Sequence, residues 1–153
     1  MEIRKVGVLG CGLMGSGIAE VCIKSGFATV VREVDDAWLA KGTARLRGSL
    51  DKAVEKGKLE AQAREAALAR LDATTDLGDL ADCDLVVEAI VENLEEKRRT
   101  FGALAGIVKP EAIFASNTSS LTVTQLAAVS GRPERTIGLH FFNPVPVMKL
   151  VEV

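Results

Sequence analysis

His140 is the one imidazole in this 153-residue chain. An imidazole has a reference pKa of roughly 6.5 and exchanges protons near neutrality, so it is the natural candidate for proton transfer. Glu152 follows in a later apolar run. Pairing of the two strands would bring its carboxylate to the ring, where it would fix the tautomer and stabilise the imidazolium. Against this stands a plainer reading, a core histidine satisfied by backbone at a strand end. Near the start of the chain, Gly10, Gly12 and Gly15 fit G-x-G-x-x-G between an apolar run and a helical pattern. Gly10 permits the tight turn, Gly12 lets a pyrophosphate approach the backbone, and Gly15 allows close helix packing. The helix beyond, beginning with Leu13 and Met14, offers free amides to phosphates. Glu33 ends a second apolar run and suits hydrogen bonding to ribose hydroxyls, which favours NAD over NADP. Arg32 beside it could accept a 2′-phosphate if turned inward.

These residues need elements to hold them. The spacing predicts a first strand from about residue 3, a helix over 13–24 closed by Gly26, and a strand over 28–33. Asp35 and Asp36 open a helix that runs to about 56 with Leu39, Leu46, Leu50 and Val54 on one face. A second helix near 61–71 turns Ala67, Leu68 and Leu71 inward. Two helices exceed what a crossover needs, so a hairpin is expected to project from the sheet, as structural insert or cleft wall. Strands at 73–75, within 84–90, at 113–115 and around 136–139 alternate with helices near 95–108 and 123–128. That alternation predicts an α/β fold of Rossmann type, a doubly wound parallel sheet with the hairpin between strands two and three. Ligands bind beyond the carboxyl ends of such strands. Gly10 to Gly15, Glu33, Ala89 to Glu92, Ser116 to Ser120 and His140 to Asn143 all fall there. Ser119 and Asn117 either cap the next helix or contact ligand. Cys11 reads as a small residue tolerated in the loop, and Trp38 as packing.

Composition is ordinary for a globular domain: 48% hydrophobic, 26% charged, formal charge −2 with the signs interspersed. Nothing suggests a nucleic-acid footprint, so a phosphate site must rely on local N–H groups and a few placed cations. Three cysteines without metal-like spacing point to reduced thiols in a cytoplasmic compartment and to no metal centre. No apolar run is long enough for a membrane span. Leu150-Val151-Glu152-Val153 reads as a strand cut in mid-stride, as expected of the first domain of a longer protein.

The motifs together are recognisable. The glycine loop, Val87-Glu88-Ala89-Ile90-Val91-Glu92-Asn93-Leu94, Ser116-Asn117-Thr118-Ser119-Ser120-Leu121 and Gly138-Leu139-His140-Phe141-Phe142-Asn143-Pro144 running on to Val153 resemble the L-3-hydroxyacyl-CoA dehydrogenase family. Within it the chain is most similar to the bacterial 3-hydroxybutyryl-CoA branch. The resemblance covers residues 5–153 and implies NAD as cofactor and an acyl-CoA as substrate. By position it implies that His140 and Glu152 are the catalytic pair and that Ser119 contacts the substrate oxygen. It places Asn143 near the nicotinamide, and Glu92, Lys97, Asn117, Ala89 and Ile90 at the cofactor. Ser49 and Lys56, on the hairpin, match positions that hold CoA. The family usually has Asp at Glu33; the longer side chain can make the same bonds. It also implies a second, all-helical domain that dimerises and closes the cleft, beyond these 153 residues. The chain alone is then expected to bind NAD with little or no turnover. Two alternatives remain at this point: a dehydrogenase of another 3-hydroxy acid, and a stand-alone dinucleotide-binding module.

Overall fold

A computed structural model describes residues 2–153. Six apolar segments form one parallel sheet: β1 (Lys5–Leu9), β2 (Ala28–Arg32), β3 (Leu71–Thr74), β4 (Leu85–Glu88), β5 (Ile113–Ser116) and β6 (Thr136–Gly138). Their order is β3-β2-β1-β4-β5-β6. In the central register Val8 stands between Val31 and Val87. The strand order reverses its progression between β1 and β4, and a crevice opens at the carboxyl ends of those two strands.

Helices cover both faces. On one side lie α1 (Leu13–Lys24), α2 (Asp36–Glu55) and α3 (Ala61–Leu68). Ile18, Leu46, Leu50 and Ala67 pack there with Val6, Val8 and Val31. On the other side, α4 (Leu94–Ala105) and α5 (Val123–Val129) bring Phe101, Leu104 and Leu126 against Leu9, Val30, Val86 and Phe114. The Phe101 and Phe114 rings meet edge to face at 5.7 Å. Side-chain caps start two of the helices: Asp35 accepts from the Trp38 amide at 2.8 Å and Asn93 from the Glu96 amide at 3.1 Å.

Several expectations are corrected. The α2–α3 hairpin does not stand clear of the domain, because Leu46 and Leu50 are wholly buried against the α1 face. The helix expected to reach residue 71 ends at Leu68. Thr29 then takes the Arg70 carbonyl at 2.8 Å, so Leu71 opens β3 two residues early. Trp38 is not packing; it is 54% exposed, with the Lys41 ammonium 4.9 Å from the ring centre. The last stretch also divides. β6 stops at Gly138, and His140–Phe141 forms a separate strand, β7, antiparallel to β8 (Val151–Glu152).

Two charged groups lock the amino end of the sheet. Asp84 accepts from the Arg4 and Lys5 amides at 2.8 and 2.9 Å and from the Lys109 ammonium at 2.5 Å. That ammonium first, then the two amides, holds its carboxyl down at about 2. Arg132, 6% exposed, donates to the carbonyls of Lys109, Val108 and Ala105 beyond α4 and lies 4.4 Å from the Phe114 ring. It thereby adds a charged donor to carbonyls at and just beyond the end of α4, where the helix leaves them without intrahelical partners.

Candidate active site

The glycine loop is shaped by contacts that exclude side chains. Gly10 has φ +87°, and a Cβ on it would lie 2.6 Å from the Ala89 carbonyl oxygen. A Cβ on Gly15 would lie 1.8 Å from the Gly10 oxygen, so α1 presses directly on the turn. Gly12 differs: nothing lies within 4 Å of its Cβ position. It is also the N-cap of α1, with no side-chain cap and no acid in the first turn. α1 thus begins with unspent amides, a positive dipole end and open space, which fits a pyrophosphate.

Glu33 sits beside this loop. Its Oε1 accepts the Cys11 amide at 2.6 Å and its Oε2 the Val34 amide at 3.0 Å. The carboxylate is held at the end of β2, where a ribose would lie. Arg32 turns away, its Nε donating to the Thr75 carbonyl at 3.1 Å. That bond ties the Nε edge of the guanidinium to the residue that follows β3. Arg45, from α2, reaches the Cys11 carbonyl at 3.3 Å. Nothing in its sequence context singles it out; one cation among many on a solvated helix carries no signal. Cys11 itself is buried, and burial pushes its thiol up to about 11.

Beyond the carboxyl ends of β4 and β5 lies a cavity of about 400 Å³. Met14, Ala89, Ile90, Glu92, Lys97, Asn117, Ser119, His140 and Asn143 all line it. Its wall rests on a charge that the sequence reading did not single out, Glu88, together with Lys97 and Glu92, which it placed at the cofactor. Glu88, at the end of β4, is fully buried and accepts from Lys97 Nζ at 2.7 Å, Ser116 Oγ at 2.6 Å and the Ile90 amide at 2.8 Å. Lys97, 1% exposed, also pairs with Glu92 Oε2 at 3.0 Å. Thr118 and Ser120 donate to Glu92. Burial would raise the Glu92 carboxyl, but the Thr118 and Lys97 hydrogen bonds outweigh it and hold it below its ordinary value. A signal for Glu88 did exist: an acid inside a buried apolar strand must find a partner.

His140 stands on the far wall. The β7–β8 register sets it opposite Glu152, with Nδ1 3.4 Å from Oε2. The Phe142 ring flanks it at 4.6 Å between centroids. Asn117 does not cap α5, whose N-cap is Thr122; its Oδ1 instead accepts the Phe141 amide at 2.8 Å and ties β7 to the end of β5. Ser119 is exposed at the cavity edge. Val145 then docks against α1 at Gly17, where a Cβ would come within 2.9 Å of it. The strap from His140 to Val145 is thus pinned at both ends.

A smaller groove of about 140 Å³ runs between α1, α2 and this strap and shares Asn143 with the main cavity. Ser49 and Arg45 line it. Lys56 does not; it is the exposed C-cap of α2, about two turns beyond Ser49. Of the two hairpin residues expected at CoA, the structure brings only Ser49 to a cleft.

A parallel sheet in this order, with a bare-ended α1 behind G-x-G-x-x-G and an acid at the end of β2, defines a dinucleotide-binding domain. Residues 5–153 match the family profile described as 3-hydroxyacyl-CoA dehydrogenase, NAD binding domain. The chain belongs to that family. It is 56% identical over 149 residues to a probable 3-hydroxybutyryl-CoA dehydrogenase of Deinococcus radiodurans, covering 97% of this chain and 53% of that protein. The crystal structure of FadB2 from Mycobacterium tuberculosis superposes with a TM-score of 0.96 at 47% identity, over 99% of this chain and 53% of that one. For (S)-3-hydroxybutyryl-CoA dehydrogenase PaaH1 from Ralstonia eutropha the TM-score is 0.95 at 46% identity, over 98% and 53%. The chain therefore spans about half the length of these relatives. Among the described residues no helix is long and apolar enough to cross a membrane.

Proposed function

We propose that this chain is the cofactor-binding part of an NAD-dependent (S)-3-hydroxyacyl-CoA dehydrogenase and carries its proton-transfer pair. The observation that supports this most is the β7–β8 register, which sets Glu152 across from His140 at the mouth of a cavity continuous with the glycine loop. Bound NAD⁺ supplies a hydride acceptor. His140 takes the proton of the 3-hydroxyl as hydride leaves C3, and returns it in the reverse direction. Glu152 is 72% exposed, so its pairing with the ring contributes orientation more than stability. Ser119 offers a hydroxyl to the substrate oxygen, and Asn117 fixes the strand that carries His140. Ser49, with Arg45 nearby, receives part of the CoA moiety in the smaller groove. Lys56, about two turns further along α2, stands outside that groove. In the full-length protein a further domain closes the cleft and pairs two subunits, and the protein acts in the cytoplasm.

The test uses the full-length gene product that carries these residues. His140→Gln is expected to lower kcat for acetoacetyl-CoA reduction about 10²- to 10⁴-fold while the KM for NADH stays within about twofold. Glu152→Gln should cost less, and the double variant should lose much less than the product of the two factors. Wild-type kcat in the His140 variant, or no turnover of any 3-oxoacyl-CoA by the parent, would overturn the assignment.

A further inference from the structure

The carboxyl end of β4 carries an unbalanced charge. Glu88 is wholly buried and holds the Lys97 ammonium at 2.7 Å, out of contact with solvent. A cation so closely matched in a water-poor wall has little field left to project into the cavity. Glu92 is the third member of the cluster, 3.0 Å from the same ammonium. Its side chain is 45% exposed and lines the cavity, while Thr118 and Ser120 fix its position. Two carboxylates and one ammonium leave a net −1 here, carried on Glu92. His140 also lines the cavity, and Glu152, which does not, pairs with it.

In a fold of this kind the adenosine half of a dinucleotide lies by the end of β2 and the other half across the switch point, towards β4 and β5. Glu33 and the bare end of α1 occupy the first position. The cavity walled by Glu92 and Lys97 occupies the second. Oxidised and reduced cofactor differ by one positive charge, located on the nicotinamide ring.

We infer that Glu92 sets the relative affinity of this domain for the two redox states of its cofactor, its carboxylate, which shares the one Lys97 ammonium with Glu88, favouring the cationic nicotinamide of NAD⁺ over the neutral ring of NADH. The inference rests on the proposed dehydrogenase reading and adds a determinant to it: the wall discriminates by charge, not only by shape. Buried Glu88 acts through Lys97 and is a positioning residue. By cancelling the ammonium it keeps the cavity wall anionic.

The experiment is a direct titration of the purified chain with NAD⁺ and with NADH by calorimetry. The proteins are wild type, Glu92→Gln, Glu92→Lys and the control Glu95→Gln. Glu95 is 76% exposed on α4, pairs with Arg98 and does not line the cavity. Two unit charges roughly 8 Å apart change an affinity by about twofold in bulk water and about thirtyfold at the effective dielectric of a protein surface, and the half-exposed Glu92 falls between these limits, at about threefold to tenfold. Glu92→Gln should therefore raise the ratio Kd(NAD⁺)/Kd(NADH) about threefold to tenfold. Glu92→Lys should raise it further, and Glu95→Gln should leave it unchanged. A ratio within about 1.5-fold of wild type in both Glu92 variants, with both cofactors weakened alike, would reduce Glu92 to a neutral hydrogen-bond contact and overturn the inference alone. Failure of the wild-type chain to bind either cofactor would overturn the dehydrogenase reading with it.

Discussion

Lys97→Met is the sharpest test of how the cleft wall is held. The ammonium is 1% exposed and lies 2.7 Å from Glu88 and 3.0 Å from Glu92. Met keeps the length and apolar stem of the side chain, so little cavity opens. What remains is a fully buried Glu88 carboxylate with only the Ser116 hydroxyl and the Ile90 amide as donors. Removing one partner of a buried ion pair costs about 3–5 kcal/mol. For a chain of this length each kcal/mol lowers Tm by about 2–4 °C, so the loss should be about 6–20 °C. Glu88→Gln added to Lys97→Met removes the stranded charge while the amide oxygen still accepts the Ile90 N–H. The double variant should recover about 1.5–3 kcal/mol relative to the sum of the two single changes, because the residues share one network. Urea unfolding followed by far-ultraviolet circular dichroism reads these values directly. A Lys97→Met cost under about 1 kcal/mol, or strict additivity in the cycle, would refute the claim that the pair holds the wall.

Three further outcomes follow from contacts described above. Asp84 is held near pKa 2 chiefly by Lys109, so its contribution is complete above its ordinary value near 3.8 and is lost as pH falls through 2. That displacement corresponds to at most about 2.4 kcal/mol, reduced to about 1–2 because Lys109 is one-third exposed. Asp84→Asn should cost that amount at pH 7 and flatten the acid limb of a stability-against-pH curve; an unchanged limb would contradict it. Glu33 repels a 2′-phosphate and the Nε edge of Arg32 is tied to Thr75, so the chain should bind NADH at least about tenfold more tightly than NADPH. Glu33→Ala should narrow that gap and also weaken NADH, since the Cys11 amide loses its acceptor; quenching of the exposed Trp38 reports both, and equal affinities in the wild type would count against the reading. Gly15→Ala puts a methyl 1.8 Å from the Gly10 oxygen. It should lower stability by about 2 kcal/mol or more and NADH affinity at least about tenfold, measured by thermal melting and titration.

How far the sequence disclosed this arrangement differs from residue to residue. Gly10, Gly12 and Gly15 were legible because each answers a local demand of backbone geometry, and local demands leave fixed spacings. The parallel sheet followed from apolar runs alternating with helical periods, with strand ends moving by a residue or two. Trp38 was misread because large aromatic residues are usually packed; here an acidic N-cap turn lifts it to the surface. The break at Leu139 was invisible for another reason. Its amide bonds the Ser116 carbonyl at 2.9 Å, and the next residue leaves the sheet to pair with β8, a choice made by tertiary partners. The pairing of Glu88 with Lys97 was hardest, nine positions apart on a strand and a helix. The family resemblance put Lys97 at the cofactor, but a lysine in an acidic helix start shows no buried partner until the strand that holds Glu88 is known.

The two ends of the sheet show why the cleft lies where it does. At the amino end polar capacity is consumed by the chain: Asp84 accepts two amides and an ammonium, and Arg132 satisfies three carbonyls beyond α4. At the carboxyl end the bonding is selective. Glu88 and Ser116 are fully committed, which fixes the backbone of Ala89 and Ile90 and so the cavity floor. In front of that rigid layer α1 begins uncapped, Gly12 faces open space, and Glu92 and Ser119 face the cavity. Preorganisation of this kind needs both parts. A wall with every donor and acceptor satisfied would hold its shape and bind nothing polar, and one with none satisfied would collapse onto itself. Buried charge behind exposed charge meets both requirements, and it places the ion pair of Glu88 and Lys97 directly beneath the residues that meet the ligand.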